Sequence, residues 1–228
     1  MAAIPYTATT TTTADTAGRG VRPAALLLLA GCAAWMVAGA PPALEDVYNA
    51  DSDRESYLAI AEHAGLYRWT NVLMVVGTFL AVAGFRALQG WLRSDRDRRL
   101  ARLAVTAAGV AAAAWVVEVA IRVTATVSKA RDVAAGTADP SSFPGGSEPV
   151  FLVALVGAAA AIATLAWLAA RGGLVWTPIA VLVTLACLLS VAVAVPITAF
   201  VFGVLPLAIG LLVRSRRSAA GGAATLTR

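Results

Sequence analysis

Apolar residues in this chain are gathered into long runs, with short polar segments between them. An α-helix rises 1.5 Å per residue, so about 20 apolar residues cross a hydrocarbon core of about 30 Å. Runs of roughly this length predict spanning helices over 23–40, 70–92, 103–127 and 150–170.

The last apolar run is twice as long as one helix needs. Leu174 to Val213 contains 40 residues and no charged side chain. Pro196 lacks the backbone N–H that a helix interior requires, so it marks a turn between two helices. We therefore predict spans over 174–194 and 197–213, with Pro206 kinking the second of them.

The predicted fold class is all-α: a polytopic membrane protein built as a six-transmembrane-helix bundle over 23–213. Small residues at four- or seven-residue spacing let helix backbones approach closely. Such pairs occur in spans 2, 4 and 6: Gly77 with Gly84, Gly157 with Ala161, and Gly203 with Gly210. The flanking segments, 1–22 and 214–228, contain few large apolar residues and are predicted to be disordered cytoplasmic tails.

A short extracytoplasmic helix is predicted between spans 1 and 2. Ser52 and Glu55 have the spacing of a capping box, in which each side chain satisfies a backbone N–H of the first turn. An apolar face follows before Gly65, formed by Tyr57, Leu58, Ile60, Ala61 and Ala64. We expect this helix to lie on the outer membrane surface or to cap the bundle.

Basic residues are unequally divided between the two sides that six spans create. The side with both termini carries 13 basic and three acidic residues, whereas the other side carries four basic and nine acidic residues. Cytoplasmic loops retain the excess of Lys and Arg, so both termini are predicted to be cytoplasmic. Of the 18 basic residues only Lys129 is not arginine, and this usage, with abundant alanine, indicates a bacterial genome. The expected location is the bacterial inner (plasma) membrane.

The composition excludes an ordinary soluble protein. Hydrophobic residues make up 59% and charged residues 14% of the chain, against about 45–50% and about 25% in soluble domains. The net charge of +5 describes membrane orientation rather than an acidic partner. In 93–102 the arginines are interleaved with two aspartates, which favours a topogenic loop over an anionic-lipid patch, and no nucleic acid is expected. The expected partners are the lipid bilayer, other membrane proteins or a second copy of this chain.

Glu118 and Arg122 are the paired ionisable residues predicted to lie within the hydrocarbon. They are four residues apart on span 3 and share one helical face, with the acid in the favourable N-terminal position. Charged side chains inside a span are costly unless paired or hydrated, so they are functional candidates by default. One interpretation is a structural ion pair, with Arg122 snorkelling to the outer surface. The other is an outward-facing cavity that binds a polar or anionic ligand or carries a proton.

His63 is the sole histidine, and it lies in the outer segment. It is expected to be a solvated loop residue, with a pH-sensing role near Glu62 or Glu118 as the alternative. One histidine cannot form a bis-histidine haem site or a multi-histidine metal site, so no cofactor and no metal are expected. No nucleotide-binding, metalloprotease or serine-hydrolase motif occurs, and no catalytic residue is assigned.

The first apolar run also matches a bacterial lipobox. Leu29-Ala30-Gly31-Cys32 follows basic residues and an apolar run, which are the parts of a lipoprotein signal. This makes Cys32 a lipidation candidate. Because the chain stays apolar through 33–40 and further spans follow, an uncleaved first helix is favoured.

The layout of the chain resembles uncharacterised bacterial six-span membrane proteins grouped as a domain of unknown function. The resemblance rests on a short first span, an outer helical segment ending in aromatics (Tyr57 to Trp69), and a third span with Glu118 and Arg122. It implies no activity. We expect a non-enzymatic scaffold, regulator or accessory subunit, because no motif demands chemistry. The alternatives are a small transporter or sensor that uses Glu118 and Arg122, and a membrane enzyme acting at the outer face.

Overall fold

The computed structural model describes residues 13–92, 94–141 and 147–225, and its regular secondary structure there is helical. The α-helices, in chain order, are α1 (Thr13–Gly39), α2 (Glu45–Asn49), α3 (Asp53–Glu62), α4 (Ala64–Gln89), α5 (Asp95–Ile121), α6 (Val127–Ala134), α7 (Ser147–Arg171), α8 (Thr177–Ala192), α9 (Pro196–Ala199) and α10 (Leu205–Thr225). Two π-helical turns, Arg122–Thr126 and Phe200–Val204, connect α5 to α6 and α9 to α10. The predicted all-α class and helical bundle are confirmed.

Five described helical segments are long and apolar enough to cross a membrane. They are Val21–Gly39, Ala64–Gln89, Asp95–Ala134, Glu148–Arg171 and Pro196–Arg216. The remaining apolar helix, α8, is shorter, with 16 residues. At 1.5 Å per residue its helical part is about 24 Å long. Five of the six predicted spans thus coincide with helices of sufficient length.

Long helices that follow one another in the chain are neighbours in space, and the last helix also contacts the first, so the bundle forms a closed ring. α1 packs against α4, α4 against α5, α5 against α7, and α7 against α8, while α10 contacts both α8 and α1. Short connections favour this arrangement because each one leads into an adjacent antiparallel helix. One apolar core contains buried residues from the five long segments and from α8, including Leu28, Leu88, Leu165, Val183 and Leu211.

Contacts at the two ends of the bundle show which helix termini lie together. At one end, a Cβ on Gly39 of α1 would lie 2.9 Å from Ile197 of α9. At the other end, a Cβ on Gly173, just after α7, would lie 3.9 Å from Arg214 of α10. We call the first the cap end and the second the arginine end. α8 runs from the arginine end to the cap end.

Helices α1 and α4 approach each other closely at two glycines. A Cβ on Gly31 would lie 2.7 Å from the Gly77 carbonyl oxygen, and a Cβ on Gly77 would lie 2.7 Å from Trp35. Real side chains do not tolerate such separations, so only glycine fits at this crossing. The predicted small-residue seam on span 2 therefore has its counterpart in Gly31.

Helix ends in the second half of the chain follow local backbone rules. α7 is closed by Gly173 at φ +70°, with the Leu174 N–H donating to the Ala169 carbonyl as in a Schellman motif. α8 is closed in the same way, but there Ala194 takes the left-handed conformation at φ 53°. α9 then begins at Pro196, at the predicted turn. The π-helical turn Phe200–Val204 lies just before Pro206, where the missing N–H interrupts the α-helical ladder.

A small helical cap covers one end of the bundle. It consists of the 3₁₀ turn Pro42–Leu44, α2, α3 and α6. Its core is separate from that of the bundle and contains Leu44, Tyr57, Ile60, Tyr67, Val127, Ala130 and Val133. Ser52 caps α3 by accepting from the Glu55 N–H at 3.3 Å, while the Glu55 carboxylate accepts from the Asp51 N–H at 3.2 Å. A capped helix is thus present where one was predicted, with the return bond shifted by one residue.

Several predicted boundaries differ from the structure. Helix α1 begins at Thr13 and α10 ends at Thr225, so helix extends into both segments predicted to be disordered. Residues 1–12 and 226–228 of those segments lie outside the described residues. The third span was predicted to end at Val127, but the helix continues to Ala134. Charge ends an apolar run without ending a helix, because helical hydrogen bonds form equally beyond the apolar boundary.

Candidate functional site

Glu118 and Arg122 form a short ion pair near the cap end of α5. Arg122 Nε donates to Glu118 Oε1 at 2.8 Å, within one helical turn. The Glu118 side chain is 4% exposed, whereas the Arg122 side chain is 29% exposed. The carboxylate is therefore desolvated, and the guanidinium reaches from it toward the surface. The predicted pairing of these residues is present in the structure.

Aromatic rings surround the pair. The Arg122 guanidinium carbon lies 5.4 Å from the centre of the Trp115 ring and 5.7 Å from that of Phe151 on α7. Both distances allow cation–π attraction, which strengthens when the cation is desolvated. Trp115 in turn contacts Trp35 of α1 at 5.3 Å, and Trp35 stacks on Phe200 at 4.6 Å. One aromatic cluster thus joins the ion pair to α1, α7 and the π-helical turn before α10.

Near the ion pair, two buried polar side-chain atoms have no hydrogen-bond partner among the described residues. They are Glu118 Oε2 and Trp115 Nε1, an acceptor and a donor one turn apart on the same helix. Burying such an atom unpaired costs on the order of 1–3 kcal/mol. These atoms are the chemically unsatisfied part of the site.

A mainly apolar cavity of about 40 Å³ lies beside this cluster, at the centre of the bundle. Trp35, Trp115 and Phe200 line one part, and Ala108, Ala111 and Ala112 of α5 line another. This volume is room for a few water molecules. Neither Glu118 nor Arg122 lines this cavity or the two described near the cap.

The π-helical turn begins at Arg122, directly after the ion-pair face of α5. There the Arg68 Nε of α4 donates to the Val123 carbonyl at 3.2 Å, and the Thr124 hydroxyl donates to the Ala120 carbonyl at 2.6 Å. Both bonds are accepted by backbone carbonyls at the π-helical turn, where the regular α-helical hydrogen-bond pattern is interrupted. Sequence reasoning did not find Arg68 or Phe151 as neighbours of the pair, because each comes from a different helix.

The two other candidates from the sequence lie elsewhere. His63 sits at the junction of α3 and α4 and is half-buried. In the described part of the chain, no side-chain hydrogen bond or ion pair connects it to Glu118. Cys32 is 1% exposed in the C-terminal third of α1, and its thiol donates to the Phe200 carbonyl at 3.4 Å.

The cap contains two groups with shifted pKa values. Burial, and to a smaller extent the charge of Asp53, raises the pKa of the Tyr57 hydroxyl. Tyr57 also lies under Lys129, whose Nζ is 5.0 Å from the ring centre. Hydrogen bonds from the Ser141 backbone N–H and hydroxyl lower the pKa of Asp139. Both groups belong to the cap end rather than to the buried pair.

A second acid of α5 lies at the arginine end. Asp97 is largely buried and faces Arg171 of α7, with Oδ1 and Nη2 3.7 Å apart. The Ser94 hydroxyl caps α5 by accepting from the Asp97 N–H at 3.4 Å. The same helix therefore has one buried carboxylate near each end.

Metal-ligating side chains do not converge among the described residues: no group of three or more His, Cys, Asp or Glu is placed to hold a metal ion. The site offers a desolvated carboxylate, a half-exposed guanidinium and aromatic faces. These groups can bind charge and carry a proton, and they can also fix helix packing. No family model, curated protein or solved structure matches this chain, so its function is inferred from these residues.

Proposed function

We propose that this chain is a polytopic integral membrane protein of the bacterial plasma membrane that crosses it six times. The observation that carries this proposal is the large apolar surface left exposed on the outside of the bundle. Soluble monomers rarely expose apolar patches beyond a few hundred Å². Here the spanning segments are only 39–50% buried, although they are strongly apolar. A hydrocarbon solvent accounts for this surface.

The outward face of α4 has the length of a membrane core. Exposed side chains follow one another at helical spacing from Trp69 (71% exposed) through Val76 and Phe79 to Arg86. Seventeen residues separate the two ends, which is about 26 Å of helix. Tryptophan and arginine are the side chains expected at the two membrane interfaces.

The positions of its two ends support the proposal that α8 crosses the membrane. α8 leaves the arginine end, where Gly173 lies beside Arg214, and the chain after it reaches the cap end, where Ile197 lies beside Gly39. Apolar residues flank its 16-residue helix on both sides. A shorter helix is accommodated by local thinning of the bilayer or by anchoring of the flanking residues.

Both termini are proposed to be cytoplasmic, with the arginine end inside and the cap outside. Arg86, Arg98, Arg171 and Arg214 belong to the arginine end, whereas the cap surface is rich in acids. A surface groove of the cap is lined by Asp46, Asp51, Glu55 and Glu62. The positive-inside rule then gives the orientation.

Fusion reporters test this topology directly. Alkaline phosphatase should be active when fused after 141, at the cap end, and inactive when fused after Arg228. A reporter of cytoplasmic location, such as a fluorescent protein, should give the opposite pattern. Active phosphatase after Arg228 would contradict the six-span orientation, and extraction of the intact chain by alkaline carbonate would contradict membrane integration.

Within the membrane, we propose that the protein acts without catalysis, as a scaffold or accessory subunit. The supporting observation is that neighbouring side chains enclose the Glu118–Arg122 ion pair. Glu118 is buried, its partner is held between Trp115 and Phe151, and the pair connects α5 to α7 through those rings. Such an arrangement fixes packing. The buried thiol of Cys32 likewise favours an uncleaved first helix, which an intact-mass measurement checks.

A small transporter or proton sensor is the second candidate, and one observation favours it. Glu118 Oε2 and Trp115 Nε1 are both buried without a hydrogen-bond partner, and Trp115 lines the central cavity. Proteoliposomes loaded with a pH dye decide between the two proposals. No proton or anion flux, with wild type equal to Glu118→Gln, supports the scaffold. Flux that disappears in Glu118→Gln, while Arg131→Gln retains it, would establish the transporter.

A further inference from the structure

The arginines at the arginine end fall into two groups. Arg98 donates through Nε to the Leu92 carbonyl at 2.7 Å, and Arg171 faces Asp97 at 3.7 Å. Arg86, Arg96 and Arg99 are exposed, and within the described part of the chain no ion pair or hydrogen bond holds their guanidinium groups. The first group connects parts of the fold. The second group, Arg86, Arg96 and Arg99, makes no such connection within the described residues.

The unengaged arginines continue the apolar surface of the bundle. On α5, Leu103, Val110 and Val117 are 68%, 57% and 50% exposed, at seven-residue spacing. The same seven-residue step toward the N-terminus reaches Arg96, and Arg99 lies on the same side one turn further along. The same outward face of α5 is therefore cationic near its N-terminus and apolar further along the helix.

The outward face of α4 ends in the same way at Arg86. α4 and α5 are adjacent and are joined by residues 90–94. Arg86 lies about 4.5 Å before the end of α4 and Arg99 about 6 Å after the start of α5, so the two lie at similar depth. Neighbouring helix axes are about 8–10 Å apart, a distance that two arginine side chains can span.

Two of these arginines, Arg96 and Arg99, do not stabilise their own helix. Arg96 and Arg99 lie in the first two turns of α5, where the helix dipole disfavours positive charge. Ser94, Asp95 and Asp97 already provide the cap and the favourable acids there. The cap and the dipole of α5 therefore do not account for two outward cations at this position.

From these observations we propose that Arg86, Arg96 and Arg99 bind the headgroup of an anionic phospholipid whose acyl chains lie along α4 and α5. Guanidinium groups bind phosphate oxygens in a bidentate manner, and the exposed leucine and valine side chains contact the acyl chains. A net negative headgroup is preferred over a zwitterionic one because three exposed cations lie at similar depth on adjacent helices, and no ion pair holds them within the described residues. The inference rests on membrane integration.

Lipid titration of the detergent-solubilised full chain tests the proposal. Phosphatidylglycerol and phosphatidylethanolamine with identical acyl chains are added, and bound lipid is counted by native mass spectrometry. We expect tighter binding of phosphatidylglycerol. Each basic residue near an anionic surface contributes about fivefold, or about 1 kcal/mol, so Arg96→Gln/Arg99→Gln should weaken phosphatidylglycerol binding by about 25-fold and Arg86→Gln by about fivefold.

Two controls keep the result specific. Arg131→Gln removes an exposed arginine of α6 at the cap end and should leave phosphatidylglycerol binding unchanged. Thermal unfolding checks that the variants remain folded. Equal binding of the two lipids by wild type, or a loss in Arg131→Gln as large as in the double variant, would overturn the headgroup site. Neither result would affect membrane integration, which carbonate extraction measures separately.

Discussion

Helix α5 carries two buried carboxylates that are held in different ways. Glu118 is paired at 2.8 Å with an arginine of its own helix, and its side chain is 4% exposed. Asp97 faces Arg171 of another helix at 3.7 Å, and that arginine is 55% exposed. The first pair is short and desolvated but local in sequence. The second connects two helices, and its arginine is largely hydrated although its carboxylate is buried. Burial, rather than the number of helices connected, therefore decides what each pair contributes.

The largest expected effect follows from removing the cation of the desolvated pair. Arg122→Gln leaves Glu118 buried without its counter-charge, and breaking a buried pair in this way costs about 3–5 kcal/mol. Thermal unfolding in detergent should show a decrease of about 10 °C in Tm. An unchanged Tm would mean that water reaches Glu118, and the contrast between the two carboxylates would then disappear.

Removing the charge of Glu118 itself should cost less. In Glu118→Gln the buried group is neutral, and Arg122 remains partly hydrated, so the loss is about that of one charged hydrogen bond, roughly 2 kcal/mol. Glu118→Gln/Arg122→Gln should be more stable than Arg122→Gln alone, as measured by the same unfolding assay. A double variant less stable than Arg122→Gln would show that the unpaired carboxylate is not the source of the cost.

The pair at the arginine end should contribute little. Arg171→Gln is expected to lower the free energy of unfolding by no more than about 1 kcal/mol, because the pair is long and Arg171 is largely exposed. This effect should shrink further in 0.5 M salt, whereas that of Arg122→Gln should persist. Equal salt sensitivity of the two variants would contradict the difference in burial.

The smallest effect is expected at the cap, beyond the Glu118 end of α5. Burial raises the pKa of Tyr57, so its neutral form stabilises the cap. That contribution is complete below the ordinary tyrosine pKa of about 10 and is lost as the pH rises through the higher pKa of the folded state. Tyr57→Phe should reduce the alkaline loss of stability. A difference absorbance titration of wild type against Tyr57→Phe should show that this hydroxyl ionises at a higher pH than an ordinary tyrosine.

Local patterns predicted much of the fold. Apolar runs located the long helices, the capping residues Ser52 and Glu55 marked the start of α3, and Pro196 marked the turn after α8. These features depend on neighbours a few residues away, so one sequence contains them. The spacing of Val127, Ala130 and Val133 carried a further helical signal for α6, which the polar residues between them concealed.

Partners from distant segments could not be predicted in the same way. Arg68 and Phe151 contact the region of Glu118 and Arg122 only because α4 and α7 flank α5. Gly31 needs to be glycine because Gly77 of another helix approaches it. None of these contacts has a fixed sequence spacing, so no periodicity reports them.

The sequence by itself determined the helical class, the apolar segments and the i, i+4 pairing of Glu118 with Arg122, since each follows from composition or from the geometry of a single helix. The tertiary structure decided which helices are neighbours and how deeply each charge is buried. It also decided which arginines are engaged by the fold and which remain directed outward. Burial and exposure are properties of packed surfaces, and a surface exists only after the helices have come together.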